Sequence, residues 1–275
     1  MKRNGFLFSV ILFCLAFSLC AVQLETHAVR SEAMNKDVKV KVFLPDDYSA
    51  GAENKYPVLY LLHGFGGSEF AWVGLNGDAE RKLIDVFRFI VVMPGVQNSW
   101  YYDSPVDPAV RYETFCAKEL TAWVEKTYRT VPDRRARGLA GLSMGGHGAM
   151  WLGIRHREYF GTAVAISGGV DIRPFPNNWA LPELLGGKSE KPENWENHTV
   201  INAAKVLKNG DLAICLDCGV DDFFIGVNRA LHRQLIEQKV DHDYVERPGA
   251  HTSAYWRNAI SYTYVFFKKQ FEQVQ

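Results

Sequence analysis

The sequence has almost no net charge: Lys+Arg and Asp+Glu each number 31 in 275 residues. Setting aside Lys2 and Arg3, which belong to an N-terminal leader, leaves 29 basic against 31 acidic groups. A near-neutral chain with no basic run argues against nucleic acid or an anionic membrane surface as partner. Cysteine is scarce as well, and beyond Cys20 only Cys116, Cys215 and Cys218 remain. An odd, small number of cysteines does not make the disulfide framework of a small secreted scaffold. Cys215 and Cys218 have redox or zinc spacing, but they stand in an apolar, strand-like run with no second pair. Packing is the reading for them, and no metal site and no cofactor is expected. No repeat, low-complexity tract or Pro/Gly/Ser linker divides the chain.

Only one long apolar run is present, Phe6 to Leu19, directly after the basic Lys2 and Arg3. It is short for a membrane span, and polar Gln23, Glu25, Thr26 and His27 follow it. That pattern predicts an export signal over residues 1–21, cleaved after Cys20 or Ala21. A lipoprotein signal with Cys20 lipidated is the alternative, weakened by the large Leu19 where a small residue is usual. Residues 22–275 then form one domain, long enough for a substantial single core.

What is plentiful is alternation of short β-rich runs with longer helical patterns, the signature of a largely parallel sheet covered by helices. Strands are predicted at Val22 to Val29, Val38 to Leu44, Pro57 to Leu62, Phe89 to Met93, Ala136 to Ala140, Thr162 to Ser167, Leu212 to Leu216 and Asp243 to Glu246. The first two alternate apolar and polar residues and read as antiparallel edge strands with one wetted face. Helices are predicted at Asp78 to Val86, Ala109 to Tyr128, Met144 to His156, Val200 to Lys208, Phe224 to Gln238 and Ser253 to Phe271. In the last, Ala259, Tyr262, Phe266 and Phe267 suggest an apolar stripe. Two stretches, Val96 to Pro108 and Gly168 to Asn197, are irregular and rich in aromatics. Both leave carboxyl ends of strands, where open α/β sheets bind ligands, so they are expected to wall a pocket.

The chemistry centres on Gly141-Leu142-Ser143-Met144-Gly145-Gly146, between a predicted strand and a predicted helix. A Ser flanked by Gly at both two-residue offsets in that setting is the nucleophile-elbow pattern, with the hydroxyl projecting above the sheet. A Ser hydroxyl needs a base, and the base needs an acid to fix its tautomer and balance its charge. In α/β-hydrolases the chain order is Ser, acid, His. His251, in Pro248-Gly249-Ala250-His251 after the last strand, is the expected base; His232 and His242 fall within a helix and at a strand start. Asp217, Asp221 and Asp222 crowd the turn after the seventh strand, and spacing does not separate the last two. Oxyanion donors are expected from Met144 N–H and from Phe65 N–H in Leu62-His63-Gly64-Phe65-Gly66-Gly67. His63 precedes the nucleophile and reads as a structural residue shaping that turn. Eight strands in this alternation predict an α/β-hydrolase fold, a mostly parallel eight-stranded sheet with helices on both faces.

Four stretches together resemble the esterase D-like family, which includes feruloyl, acetyl-xylan and tributyrin esterases, S-formylglutathione hydrolases and mycolyltransferases. They are Tyr56 through Gly64, Gly141 through Gly146, Cys218-Gly219 through Asp222-Phe223, and Pro248 through His251. The resemblance covers nearly all of the chain after the leader. It implies Asp222 as the acid, three residues after the Gly and just before an aromatic, and it supports Phe65 as an oxyanion residue. It also implies that Asn98-Ser99-Trp100-Tyr101 is a substrate-side loop, with Asn98, Trp100 and Tyr101 as substrate-binding residues. The function implied is an exported serine carboxylesterase acting on short acyl or hydroxycinnamoyl (feruloyl-type) esters of plant polysaccharide. Transfer of the acyl group to a sugar hydroxyl is the enzymatic alternative, and a catalytically silent binding protein is the non-enzymatic one.

Overall fold

The computed structural model describes residues 23–48 and 53–274; the leader expected over 1–21 lies outside the described residues. Its frame is one eight-stranded sheet in the order β1-β2-β4-β3-β5-β6-β7-β8. The strands are β1 (Gln23–Ser31), β2 (Lys36–Leu44), β3 (Val58–Leu62), β4 (Ile90–Pro94), β5 (Arg137–Leu142), β6 (Thr162–Ile166), β7 (Ala213–Gly219) and β8 (Asp243–Arg247). From β4 to β8 all neighbours are parallel; β1 and β2 join antiparallel. This is the α/β-hydrolase architecture the sequence predicts.

Burial follows residue type. β3, β4, β5 and β6 are buried along their whole length, as uniformly apolar strands covered on both faces must be. Alternate side chains of β3 feed two cores: Val58, Tyr60 and Leu62 on one face, Leu59 and Leu61 on the other. β2 does not lie at an edge, contrary to its sequence reading, because it pairs with β1 on one side and β4 on the other. Its alternation of Val38, Val40 and Val42 with Lys39 and Lys41 reports one wetted face. It says nothing about in-plane neighbours, which lie at right angles to the side chains.

The helices are α1 (Ala71–Asn76), α2 (Asp78–Phe87), α3 (Tyr112–Thr114), α4 (Leu120–Thr127), α5 (Met144–Arg155), α6 (Leu181–Leu185), α7 (Pro192–Asn197), α8 (Val200–Ala203), α9 (Ile225–Glu237) and α10 (Ser253–Phe271). α3 runs through a π-helical turn, Phe115–Glu119, into α4, so that stretch begins three residues later than Ala109. α1 is absent from the sequence reading, and α6 and α7 fall in a stretch read as irregular. One-turn helices are too short to show a period. α10 is capped by the Thr252 hydroxyl, which accepts the Tyr255 N–H. Its inward face is Tyr255, Ala259, Ile260, Thr263, Tyr264, Phe267 and Phe271, whereas Tyr262 of the expected stripe is 56% exposed. Among the described residues no helix is long and apolar enough to cross a membrane.

Candidate active site

The loops that leave β3, β5, β7 and β8 converge at one end of the sheet, and the chemistry-bearing residues sit on them. Ser143 joins β5 to α5 with φ 56° and ψ −117°, a conformation that L residues rarely hold. The glycines around it are dictated by contact. A side chain at Gly141 would strike the Gly145 carbonyl, and one at Gly145 would strike the Leu62 carbonyl. At Gly146 a methyl would sit 2.8 Å from the Cα of Gly168. The turn closes through Ser143 N–H to Ile166 O at 2.9 Å and Gly169 N–H to Ser143 O at 3.3 Å.

The three candidate acids have different surroundings. Asp217 is engaged elsewhere: it accepts the Tyr255 hydroxyl at 2.6 Å and pairs with Arg247. Asp221 is exposed. Asp222 is 2% exposed; its Oδ1 accepts the Phe224 N–H at 2.8 Å and its Oδ2 faces His251 Nδ1 at 2.8 Å. A carboxylate only accepts, so Nδ1 carries the proton and Nε2 is left to accept from the Ser143 hydroxyl at 2.9 Å. The acid and base turns are stitched together by Asp221 N–H to Gly249 O and Val220 N–H to Arg247 O, each at 3.0 Å. His232 and His242 are hydrogen-bonded to each other at 2.8 Å and take no part in this relay.

On the other side of Ser143 runs the loop after β3. Gly64 lies so close that a Cβ there would be 3.4 Å from the Ser143 Cβ. The Phe65 N–H donates to no group among the described residues, and Met144, first residue of α5, has no acceptor within its own helix. The loop is braced from below. Trp72 Nε1–H donates to Leu62 O at 2.9 Å, and Gly67 N–H to Gly64 O at 3.0 Å. His63 is buried, with Nδ1–H on Gly64 O at 2.8 Å and Nε2 accepting Val96 N–H at 3.1 Å. Burial lowers its pKa below the usual imidazole value, which keeps the ring neutral and both bonds intact.

These groups open onto a cleft of about 490 Å³ lined by residues 64–67, Leu75, Leu142, Ser143, Trp179, Phe223, His251 and Trp256. Three residues expected at the substrate are not part of that lining. Asn98 is exposed, and its Oδ1 accepts the Gly66 N–H at 2.7 Å, so it shapes the loop after β3. Trp100 and Tyr101, expected at the substrate, are 1% and 0% exposed and lie behind the cleft's lining. Tyr101 donates to His63 O at 3.0 Å and Trp100 to Trp179 O at 3.0 Å. A loop full of aromatics has no period to show which rings face inward, so their composition alone does not place them. Trp195, in the second irregular stretch, is likewise buried. Of the tryptophans in those two stretches only Trp179 reaches the cleft.

Two supports escaped the sequence altogether. Asn228, on α9, donates to both Gly168 O and Phe224 O at 2.9 Å, joining the segment behind Ser143 to the turn of Asp222. His147, one turn after Ser143, hydrogen-bonds Gly169 O at 3.0 Å, and burial lowers its pKa to about 3. His147 stands inside the Gly-rich motif and could have been noticed there; Asn228 carries no local signal.

Comparison with known proteins identifies the family. The family model described as "Putative esterase" matches residues 31–266. An acetyl esterase of Caldicellulosiruptor saccharolyticus is 26% identical over 264 residues, covering 87% of this chain and 96% of that protein. An esterase of Mycobacterium tuberculosis is 34% identical over 154 residues, 54% of this chain; the match spans only 32% of that longer protein. The solved structure of a ferulic acid esterase superposes with a TM-score of 0.77 at 29% identity, over 91% of this chain and 100% of that one. With the matched region covering most of its length, the chain belongs to the putative esterase family.

Proposed function

We propose that the chain is a serine carboxylesterase in which Ser143, His251 and Asp222 form the catalytic triad. The observation that carries this reading is the continuous relay at the cleft, 2.8 Å from Asp222 to His251 and 2.9 Å from His251 to Ser143. Ser143 Oγ attacks the ester carbonyl while His251 Nε2 takes its proton. The oxyanion that forms lies between the Phe65 and Met144 N–H groups, whose dipoles are already aimed. Asp222 balances the imidazolium. His251 then gives its proton to the departing alcohol, leaving an acyl-enzyme. Water, deprotonated by His251, attacks that acyl group and frees the acid.

For the substrate we propose a short acyl or hydroxycinnamoyl ester carried on plant polysaccharide, met by an exported enzyme. Support comes from the aromatic and aliphatic lining of the cleft and from the relatives named acetyl esterase and ferulic acid esterase. The test is hydrolysis of 4-nitrophenyl acetate and methyl ferulate by wild type and Ser143→Ala. Turnover should fall by a factor on the order of 10⁴–10⁶ in the variant, the residue coming from the oxyanion hole. A variant that keeps most of its activity removes the mechanism. An added sugar acceptor in the same assay separates hydrolysis from acyl transfer.

A further inference from the structure

Outside the relay, positive φ occurs at two pairs of consecutive residues, three of the four carrying an aromatic ring. Trp100 and Tyr101 have φ of 54° and 62°; Trp179 and Ala180 have φ of 53° and 56°. Left-handed conformation at a large side chain persists only where the surroundings hold it, and it concentrates at functional sites. The two pairs are joined directly by the hydrogen bond from Trp100 Nε1–H to Trp179 O, 3.0 Å long and spanning 79 positions in the chain.

Each end of that bond leads to the active site. The Trp100 ring is buried against Gly169, where a Cβ would come within 2.8 Å of it, and Gly169 N–H donates to the Ser143 carbonyl. Trp100 is thus seated on the nucleophile turn. At the other end Trp179 lines the cleft and stacks on Phe223, ring centroids 5.6 Å apart and planes 20° from parallel. Phe175 and Phe224 pack on Trp179 from beneath at 5.3 Å each. Phe223 in turn lies 4.3 Å from the His251 ring. The two rings form a stacked aromatic pair beside the catalytic base.

We infer that Trp100 is a positioning residue for acyl selection: it touches no substrate, but its indole N–H fixes the turn at Trp179 and so sets the aromatic face on which the acyl group lies. This rests on the serine-esterase reading above. The open side of that pair complements a planar, conjugated acyl group, which can stack on it. An acetyl group is too small to do so and gains little from the wall.

The experiment compares methyl ferulate with 4-nitrophenyl acetate for wild type, Trp100→Phe, Trp179→Ala and the double variant. Trp100→Phe keeps an aromatic ring in the buried seat and removes the donor. Its KM for ferulate should rise about 10-fold with kcat little changed, and the ferulate-to-acetate ratio of kcat/KM should fall by the same factor, within the range of a lost pocket contact. Trp179→Ala should lower that ratio by roughly 30-fold, and the double variant should match it, because Trp100 acts through Trp179. An unchanged ratio in Trp179→Ala overturns the inference, as do losses that add in the double variant. A parallel fall on both esters in Trp100→Phe marks a merely structural residue. Should Trp100→Phe fail to fold, Trp179→Ala still decides, since that side chain is partly exposed. Wild type that hydrolyses acetate but not ferulate sinks the inference and leaves the triad standing; silence on both esters removes the reading beneath it.

Discussion

Ser143 and Trp179 line the same cleft, and both hold a positive φ, yet the two walls are built on different principles. The Ser143 turn is held by backbone: Gly141, Gly145 and Gly146 let neighbouring main chain approach, and bonds to Ile166 O and from Gly169 N–H close it. The Trp179 turn has local backbone bonds too, but it also leans on side chains: one N–H from Trp100 and the rings of Phe175, Phe223 and Phe224. The side-chain-supported wall is the one in which single substitutions can alter the cleft's aromatic lining.

The comparison breaks most sharply at the acid. Asp222→Asn should lower kcat by about 10⁴ with little change in KM, whereas Asp221→Asn, one residue away and exposed, should stay within about a factor of two. Steady-state kinetics on 4-nitrophenyl acetate checks both; a large loss in Asp221→Asn would reassign the acid. Next in size is Gly145→Ala, whose methyl meets the Leu62 and His63 carbonyls. Denaturant unfolding should show a loss of about 4 kcal/mol, or no folded protein at all.

The helix that carries Ser143 is anchored at its far end too, and this supplies a pH test. Glu113 is buried, which opposes ionisation. Hydrogen bonds from His156 and Arg155, with a further one from Trp151, outweigh burial and hold its pKa at about 2. A carboxyl depressed from 4.5 stabilises the fold fully above its unfolded value, by roughly 3 kcal/mol, and that contribution fades as pH falls toward 2. Glu113→Gln should destabilise the protein by about 2–3 kcal/mol at pH 7 and flatten the loss of stability between about pH 5 and 2. Equal acid sensitivity in wild type and variant would contradict this account.

Smallest is the brace on the oxyanion loop. Asn98→Ala removes the acceptor of the Gly66 N–H and should reduce kcat by about 3- to 10-fold on both esters alike, roughly 1 kcal/mol of orientation. A change confined to ferulate would instead return Asn98 to the substrate.

Which of these walls can be read in advance follows from how each is supported. All eight strands stand out because short β-rich runs alternate with helical patterns, and each lies within a few residues of its reading. The residues of the relay are legible because each occupies a short contiguous motif just past a strand end. Local spacing could not choose between Asp221 and Asp222; the resemblance to a family pattern did. The aromatic wall is opaque for the opposite reason. Trp100, Tyr101, Trp179 and Trp195 look alike in stretches whose sequence shows no period, and only three-dimensional packing sends one outward and three inward. Asn228 is illegible on the same grounds, since its two acceptors come from Gly168 and Phe224 on different loops.

The central claim is that Ser143 is the nucleophile, and covalent labelling tests it most directly. Intact-mass and peptide analysis after treatment with a fluorophosphonate should find one adduct, on Ser143, formed in step with loss of esterase activity and absent from Ser143→Ala. An adduct on another residue, or full activity surviving complete labelling of Ser143, would contradict it.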